Sequence, residues 1–188
     1  SEAEISVLTS AGLYKLAGAK ILRNTDFTIQ KSLDKFECLS YLSSKGITVP
    51  KNGLIGDTSP THYPVIVKPR SGQGSKGVKV VHNEDELNQC LKNWIWQEYL
   101  FPDDEEYTCA IYKSTISSFR SLILKRKLVG GSTGSGIVIE NSEIEKYIHK
   151  IAEAMQINGA INIQLRLTKQ GPLLFEINPR LSSTLVFR

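Results

Sequence analysis

The chain has 188 residues, 40% of them hydrophobic and 22% charged, enough to bury a real core in one domain or in two small lobes sharing a cleft. Its mild formal net charge of +4 suits anionic ligands, and no Lys/Arg run with interleaved aromatics marks a nucleic-acid surface. Cys38, Cys90 and Cys109 form neither a disulfide framework nor a zinc knuckle, and no apolar stretch reaches membrane-spanning length. A cytoplasmic protein with reduced thiols is therefore expected.

Residues 2 to 17 read as a helix from the spacing of Ile5, Leu8, Leu13 and Leu16, stopped by Gly18 and followed by a short strand at 20 to 22. From Ser32, a second helix over Leu33 to Leu42 runs to the glycine stop at Lys45-Gly46. Tyr63 to Pro69 is an apolar strand ending on Lys68. Gly72, Gly74 and Gly77 then precede the β-rich run Val78 to Val81, which predicts a strand–loop–strand flap. Without Cβ atoms, such a loop can turn its N–H groups toward an anion, although a bare turn has the same composition. No Gly-Lys-Ser/Thr follows to open a helix, so it is not a Walker A sequence.

Asn83 caps a short acidic helix, Trp94 to Leu100 is a strand, and Phe101 to Glu106 is an acidic turn. Strands are expected at 107 to 111, 116 to 125 and 127 to 131, with Gly130 to Gly136 as a flexible link. Residues 141 to 156 form a helix with Ile144, Ile148, Ile151, Ala152 and Met155 on one face. The last pattern is the most informative. Ile161 to Leu167 and Leu173 to Arg180 alternate apolar and polar residues around a Gly-Pro turn, a period of two that marks an antiparallel hairpin. Asn162, Gln164 and Arg166 then share one face with Glu176, Asn178 and Arg180. Hard oxygen donors of this kind suit magnesium, and a neighbouring Arg suits phosphate or carboxylate. A merely solvated sheet face is the alternative.

Several segments, in this order, resemble the ATP-grasp superfamily, most closely the synthetase domains of the carbamoyl-phosphate synthase large subunit. They are Asp34-Lys35 opening a helix, Val67-Lys68-Pro69, the Gly72 to Gly77 loop, Gln97-Glu98-Tyr99-Leu100 with Glu106-Tyr107, Gly159 to Gln164, and Phe175-Glu176-Ile177-Asn178-Pro179-Arg180. The resemblance implies an α+β fold in which two lobes built on antiparallel sheets clasp ATP. Residues 1 to 30 would be a lead-in from a preceding domain and 31 to 188 the ATP-grasp domain, with a small lobe at about 60 to 98 and a larger, C-terminally truncated lobe at about 99 to 188. Lys68 and Lys35 would face the phosphates, and Ser71, Gly72, Gly74 and Gly77 would close over them. Gln97, Glu98 and the Leu100 backbone would meet adenine, and Glu106 the ribose. Gln164, Glu176 and Asn178 match magnesium ligands, Arg180 matches the arginine facing the transferred phosphoryl group, and Gln164 is the carbamoyl-phosphate-synthase-like choice.

Plainer readings stand beside these. Lys35 also reads as a helix-surface lysine, Glu106 as the end of a solvated acidic turn, and Arg70 and Lys76 as mere flanks of the loop. Arg126 could touch phosphate or be an exposed strand residue. His62, His82 and His149 fall in no catalytic arrangement, and Trp94 and Trp96 suit packing a lobe.

The implied enzyme is a ligase that uses ATP and magnesium, with manganese as a substitute. A small carboxylate or bicarbonate attacks the γ-phosphate, and an amine or ammonia captures the acyl phosphate. Further domains, subunits or copies of the chain are open as partners; nucleic acid and membrane are not expected. The alternative is a nucleotide-binding module or fragment without turnover of its own. If the glycine loop closes over phosphates, amide hydrogen exchange across residues 71 to 77 should slow when magnesium and ATP are added. Exchange that ligand leaves unchanged would speak for a bare turn.

Overall fold

The computed structural model describes residues 2–21, 23–72, 76–114, 119–130 and 132–180. Helix α1 (Glu2–Ser10) is shorter than the apolar spacing predicted. Gly12 takes a left-handed φ of +62°, which breaks the i→i−4 ladder, and Leu13 beyond it is exposed. The chain continues as a small hairpin, β1 (Lys15–Leu16) and β2 (Ala19–Lys20), with Gly18 in its turn rather than at a helix end.

Helix α2 (Asp26–Leu33) was not anticipated, because its inner side is largely hydroxylic rather than apolar. Thr25 caps it by accepting from the Thr28 amide, and the buried Thr28 hydroxyl donates to the Met155 carbonyl at 2.9 Å. The expected helix start at Ser32 is corrected as well. Ser32 lies inside α2, donating to the Thr28 carbonyl, and Asp34 caps α3 (Lys35–Ser44) by accepting from the amides of Phe36 and Glu37.

Four short strands, β3 (Asn52–Leu54), β4 (Val65–Lys68), β5 (Lys79–Val81) and β6 (Ile95–Glu98), make an antiparallel sheet in the order β3-β6-β4-β5. Val65, Val67, Val81 and Trp96 form its core with Leu87 of the short helix α4 (Glu84–Asn88). The Trp96 indole N–H donates to the Thr58 carbonyl at 3.0 Å, a packing arrangement. β4 and β5 are the arms of the flap; Gln73, Gly74 and Ser75 at its centre lie outside the described residues.

The larger sheet comprises β7 (Glu106–Lys113), β8 (Arg120–Val129), β9 (Ser132–Ile139), β10 (Gly159–Thr168) and β11 (Gly171–Asn178), in the order β11-β10-β7-β8-β9. Two expectations fail here. β8 runs unbroken through Arg126, and the glycine-rich link is the edge strand β9. Its glycines fit that edge: a Cβ on Gly136 would come within 2.8 Å of the Leu124 side chain, so glycine lets the strand lie close. Residues 116 to 118 of the strand expected at 116 to 125 lie outside the described residues.

Helix α5 (Ser142–Ala154), capped by Asn141, covers one face of this sheet. Ile144, Ile148, Ile151, Ala152 and Met155 are all 0% exposed, the stripe that their spacing predicts. They join Leu39 and Leu42 of α3 and Cys109, Ile111, Ile161, Ile163 and Leu165 of the sheet in one core. Burial of each large aliphatic there contributes roughly 1.5 to 3 kcal/mol. Among the described residues, no helix is long and apolar enough to cross a membrane.

The hairpin departs from strict alternation at one point. Asn162 faces Asn178 and Gln164 faces Glu176, but Leu165 faces Leu174, so Phe175 is an extra residue in β11. This bulge shifts the phase. Leu174 and Ile177 enter the core while Glu176 and Asn178 keep the opposite face. The Leu174 amide donates to the Tyr147 hydroxyl of α5 at 3.1 Å, and that hydroxyl donates to the Thr48 carbonyl at 2.8 Å.

Candidate functional site

A cleft of about 420 Å³ separates the two sheets. The small sheet contributes Ile66, Lys68, Val80 and Glu98, the connecting segment Tyr99 and Leu100, and the large sheet Glu106, Arg126, Gln164, Arg166, Glu176 and Asn178. Lys35, Gly72, Lys76, Gln97 and Arg180 complete the wall that concerns chemistry. Most of the residues singled out from the sequence are thus brought together. Ser71 and Gly77 do not line the cleft, and Gly74 lies outside the described residues. Gly77 has a packing reason to be glycine: its φ is +79°, and an added Cβ would sit 2.9 Å from the Trp94 ring.

Asp34-Lys35 is positioned by the start of α3. Asp34 caps that helix and takes the Arg70 side chain at 2.6 Å, and the Lys35 amide donates to the Arg70 carbonyl at 2.8 Å. Arg70 is therefore a brace behind the loop and not part of the cleft wall. Lys35 Nζ donates to the Gly72 carbonyl at 2.8 Å, tying helix to loop. His62, His82 and His149 are absent from the cleft wall.

Lys68 is 5% exposed. Its ammonium donates to Gln97 Oε1 and to the Phe175 carbonyl, both at 2.8 Å, and the second bond crosses from one sheet to the other. Burial pulls its pKa down to about 8, with Glu176 opposing that shift and Lys35 adding to it. Gln97, expected at the adenine edge, has its side-chain oxygen committed to Lys68. The Glu98 carboxylate accepts from the Lys51 amide at 2.8 Å, and the Leu100 carbonyl accepts from Arg166 at 2.6 Å.

Glu106 sits in register opposite Arg166. Arg166 donates to Glu106 Oε2 at 2.7 Å. Arg126 grips Oε1 through Nε at 3.0 Å and Nη2 at 2.7 Å, and the same Nη2 donates to Gln164 Oε1 at 2.8 Å. The three charged side chains are 10 to 14% exposed, so the reading of Arg126 as an exposed strand residue is overturned. Arg166 was placed on this face by alternation but given no part. The signal for both arginines was strand parity: Arg166 follows Gln164 by two, and Arg126 follows Leu124 by two on the face turned from the core helices.

A family model described as the ATP-grasp domain matches residues 32–184. The chain belongs to the ATP-grasp family. Among curated relatives, this ATP-grasp chain is 33% identical to the coenzyme gamma-F420-2:alpha-L-glutamate ligase of Methanococcus maripaludis over 113 residues, 55% of the chain and 39% of that protein. With the ligase of the same name from Methanocaldococcus jannaschii, it shares 24% identity over 173 residues, 80% of the chain and 59% of that protein. The chain thus spans about half the length of the curated relatives it matches. Among solved structures, the L-amino acid ligase of Bacillus licheniformis superimposes with a TM-score of 0.72 at 20% identity, covering 96% of this chain and 46% of that one. That likeness shows a shared ATP-grasp fold. Neither these relatives nor the structure is a carbamoyl-phosphate synthase.

On the hairpin wall of this ATP-grasp cleft, Gln164 faces the Glu176 carboxylate across the two strands and Asn178 follows Glu176 by two, so one carboxylate and two side-chain amides stand together. Among the described residues, no three His, Cys, Asp or Glu side chains gather into a metal-binding group. Such a set fits a hard cation that keeps other oxygen ligands, as magnesium does when it arrives with phosphates.

Glu106 distinguishes a buried ionic hub from a solvated acidic turn. Glu106→Ala should cost about 3 kcal/mol or more in urea unfolding, because two poorly hydrated guanidiniums lose their shared carboxylate. Asp104→Ala, two residues earlier and exposed, should stay within about 0.5 kcal/mol.

Proposed function

We propose that this chain is the ATP-binding, phosphoryl-transferring part of a carboxylate–amine ligase. The observation that carries the reading is opposition across the cleft: Lys68 of the small sheet faces the Gln164, Glu176 and Asn178 row of the large one. Lys68 and Lys35 would neutralise the phosphates, Glu98 and the Leu100 backbone would meet adenine, and Glu106 would accept from the ribose hydroxyls. Gln164, Glu176 and Asn178 would hold magnesium or manganese, which supplies charge neutralisation at the transferred group, and Arg180 would face that group. Positioning and charge neutralisation suffice for phosphoryl transfer, so no protein nucleophile is needed. A carboxylate oxygen bonds the γ-phosphorus as the bond to ADP breaks. The acyl phosphate then loses phosphate to an attacking amine.

The names of the relatives, an L-glutamate ligase and an L-amino acid ligase, support an amino acid as a reactant. The narrower carbamoyl-phosphate-synthase-like form, with bicarbonate and ammonia, has Gln164 as its support. Because the chain spans about half of its curated relatives, we assign it nucleotide binding by itself and turnover together with the rest of the protein. Its lobes in this reading are those of the sequence division, with residues 1 to 30 as lead-in and the domain proper from 31.

Two measurements test the assignment. Glu176→Gln keeps the shape of the side chain and removes its charge. Turnover of the full-length protein should fall by a factor of about 100 or more, with stability unchanged within about 0.5 kcal/mol. Full activity in this variant would overturn the cation assignment.

The second follows from Lys68. Without ligand its ammonium is half deprotonated near pH 8, and a phosphate beside it would raise that value. Below pH 8 nucleotide binding needs no proton; above it, one must be taken up, so affinity should weaken by up to tenfold per pH unit. Calorimetry in buffers of different ionisation enthalpy should show near-zero proton uptake at about pH 6.5 and close to one proton at about pH 9. Uptake that does not change with pH would remove Lys68 from the phosphate site.

A further inference from the structure

Arg126 holds two groups that the proposed function needs for other purposes. Its Nε and Nη2 both bond Glu106 Oε1, at 3.0 and 2.7 Å, and Nη2 also bonds Gln164 Oε1 at 2.8 Å. Glu106 has a second cation in Arg166, which also pairs with the Asp103 carboxylate at 2.9 Å, so the positive charge directly on Gln164 is the Arg126 guanidinium. The Arg126, Glu106 and Arg166 side chains are at most 14% exposed, so little water screens the Arg126 charge. Gln164 sits directly opposite Glu176, with Asn178 two residues along the same face.

On these contacts we propose that Arg126 is a resident counter-ion of the proposed cation site, bonding Gln164 and opposing a divalent cation until nucleotide draws it away. The inference rests on the cation assignment made above for Gln164, Glu176 and Asn178. A dication on the Gln164 oxygen would stand next to a guanidinium bonded to that same oxygen. With a single carboxylate among its protein donors, such an ion has little to offset that repulsion. Nucleotide changes both terms. Its phosphates bring negative charge to the cation, and a ribose hydroxyl on Glu106 competes with the anchor of Arg126. Cation and nucleotide therefore bind cooperatively, and Arg126 makes the site reject the bare ion. Release leaves Glu106 with Arg166, so the hub stays paired.

The test uses Mn2+ as the probe, with ADP as the nucleotide. Calorimetry of Mn2+ without nucleotide should show tenfold or tighter binding in Arg126→Met than in the wild type, with Arg126→Lys between them. With ADP present, the wild type and Arg126→Met should differ by less than threefold. Arg126→Met keeps the Glu106–Arg166 pair; should it nevertheless misfold, the wild type answers alone through its arginine 15Nε resonances. The Arg126 Nε–H signal should be protected without ligand and should shift or broaden only when Mg2+ and ADP are added together. Equal or weaker binding of bare Mn2+ by Arg126→Met, or an Arg126 signal unchanged by Mg2+ and ADP, would overturn the counter-ion assignment while leaving the cation site standing. No Mn2+ binding in any variant even with ADP would overturn the cation site, and this inference with it.

Discussion

The bond from Lys68 to the Phe175 carbonyl joins the two halves of this molecule at the point where its chemistry is proposed to occur. A buried ammonium needs acceptors, and on its own sheet Lys68 has Gln97. The second acceptor exists because β11 carries one residue more than its partner strand, which leaves the Phe175 carbonyl available to the cleft. Behind the bulge stands Tyr147, whose hydroxyl receives the Leu174 amide and anchors on Thr48. A helix residue on the far face of the sheet thus helps to place a lysine of the other sheet.

Charge around that bond is deliberately unequal. Lys35, Lys68, Lys76, Arg126, Arg166 and Arg180 line the cleft against Glu98, Glu106 and Glu176. Six cations against three carboxylates suit a ligand of several negative charges. Burial depresses the pKa of Lys68, with Glu176 opposing the shift and Lys35 adding a smaller repulsion. Glu106 pairs with two of these arginines at once, Arg126 and Arg166.

Much of this was legible before any coordinates. Helix α5 was, because five apolar residues at helical spacing have one physical solution, and so was the oxygen-donor row, because alternation puts Asn162, Gln164, Glu176 and Asn178 on one face. What escaped was structure whose cause is not local apolar pattern. Helix α2 is held by hydroxyl-to-carbonyl bonds from Thr28 and Ser32, which resemble solvent-facing polarity in a sequence. In strand β9, Gly136 and Gly134 leave room for the Leu124 and Val129 side chains, and glycines spaced that way read equally as a link. Arg126 was ambiguous because its partners lie 20 and 38 residues distant, and register decides what it meets. The bulge was invisible for the same reason: Leu173-Leu174-Phe175 is apolar whichever residue is the extra one.

That extra residue separates two properties usually carried by the same strand. Alignment of Glu176 with Gln164 depends on the ladder beyond the bulge, whereas anchorage of Lys68 depends on the bulge itself. Shortening β11 by Phe175 would let Glu176 follow Leu174 in plain alternation, still facing Gln164, and would remove the carbonyl beneath Lys68. The donor row is thus indifferent to one unit of chain length to which the lysine is sensitive. Variation in length at this position, unlike variation in residue type, would separate cation binding from the bridge between the sheets.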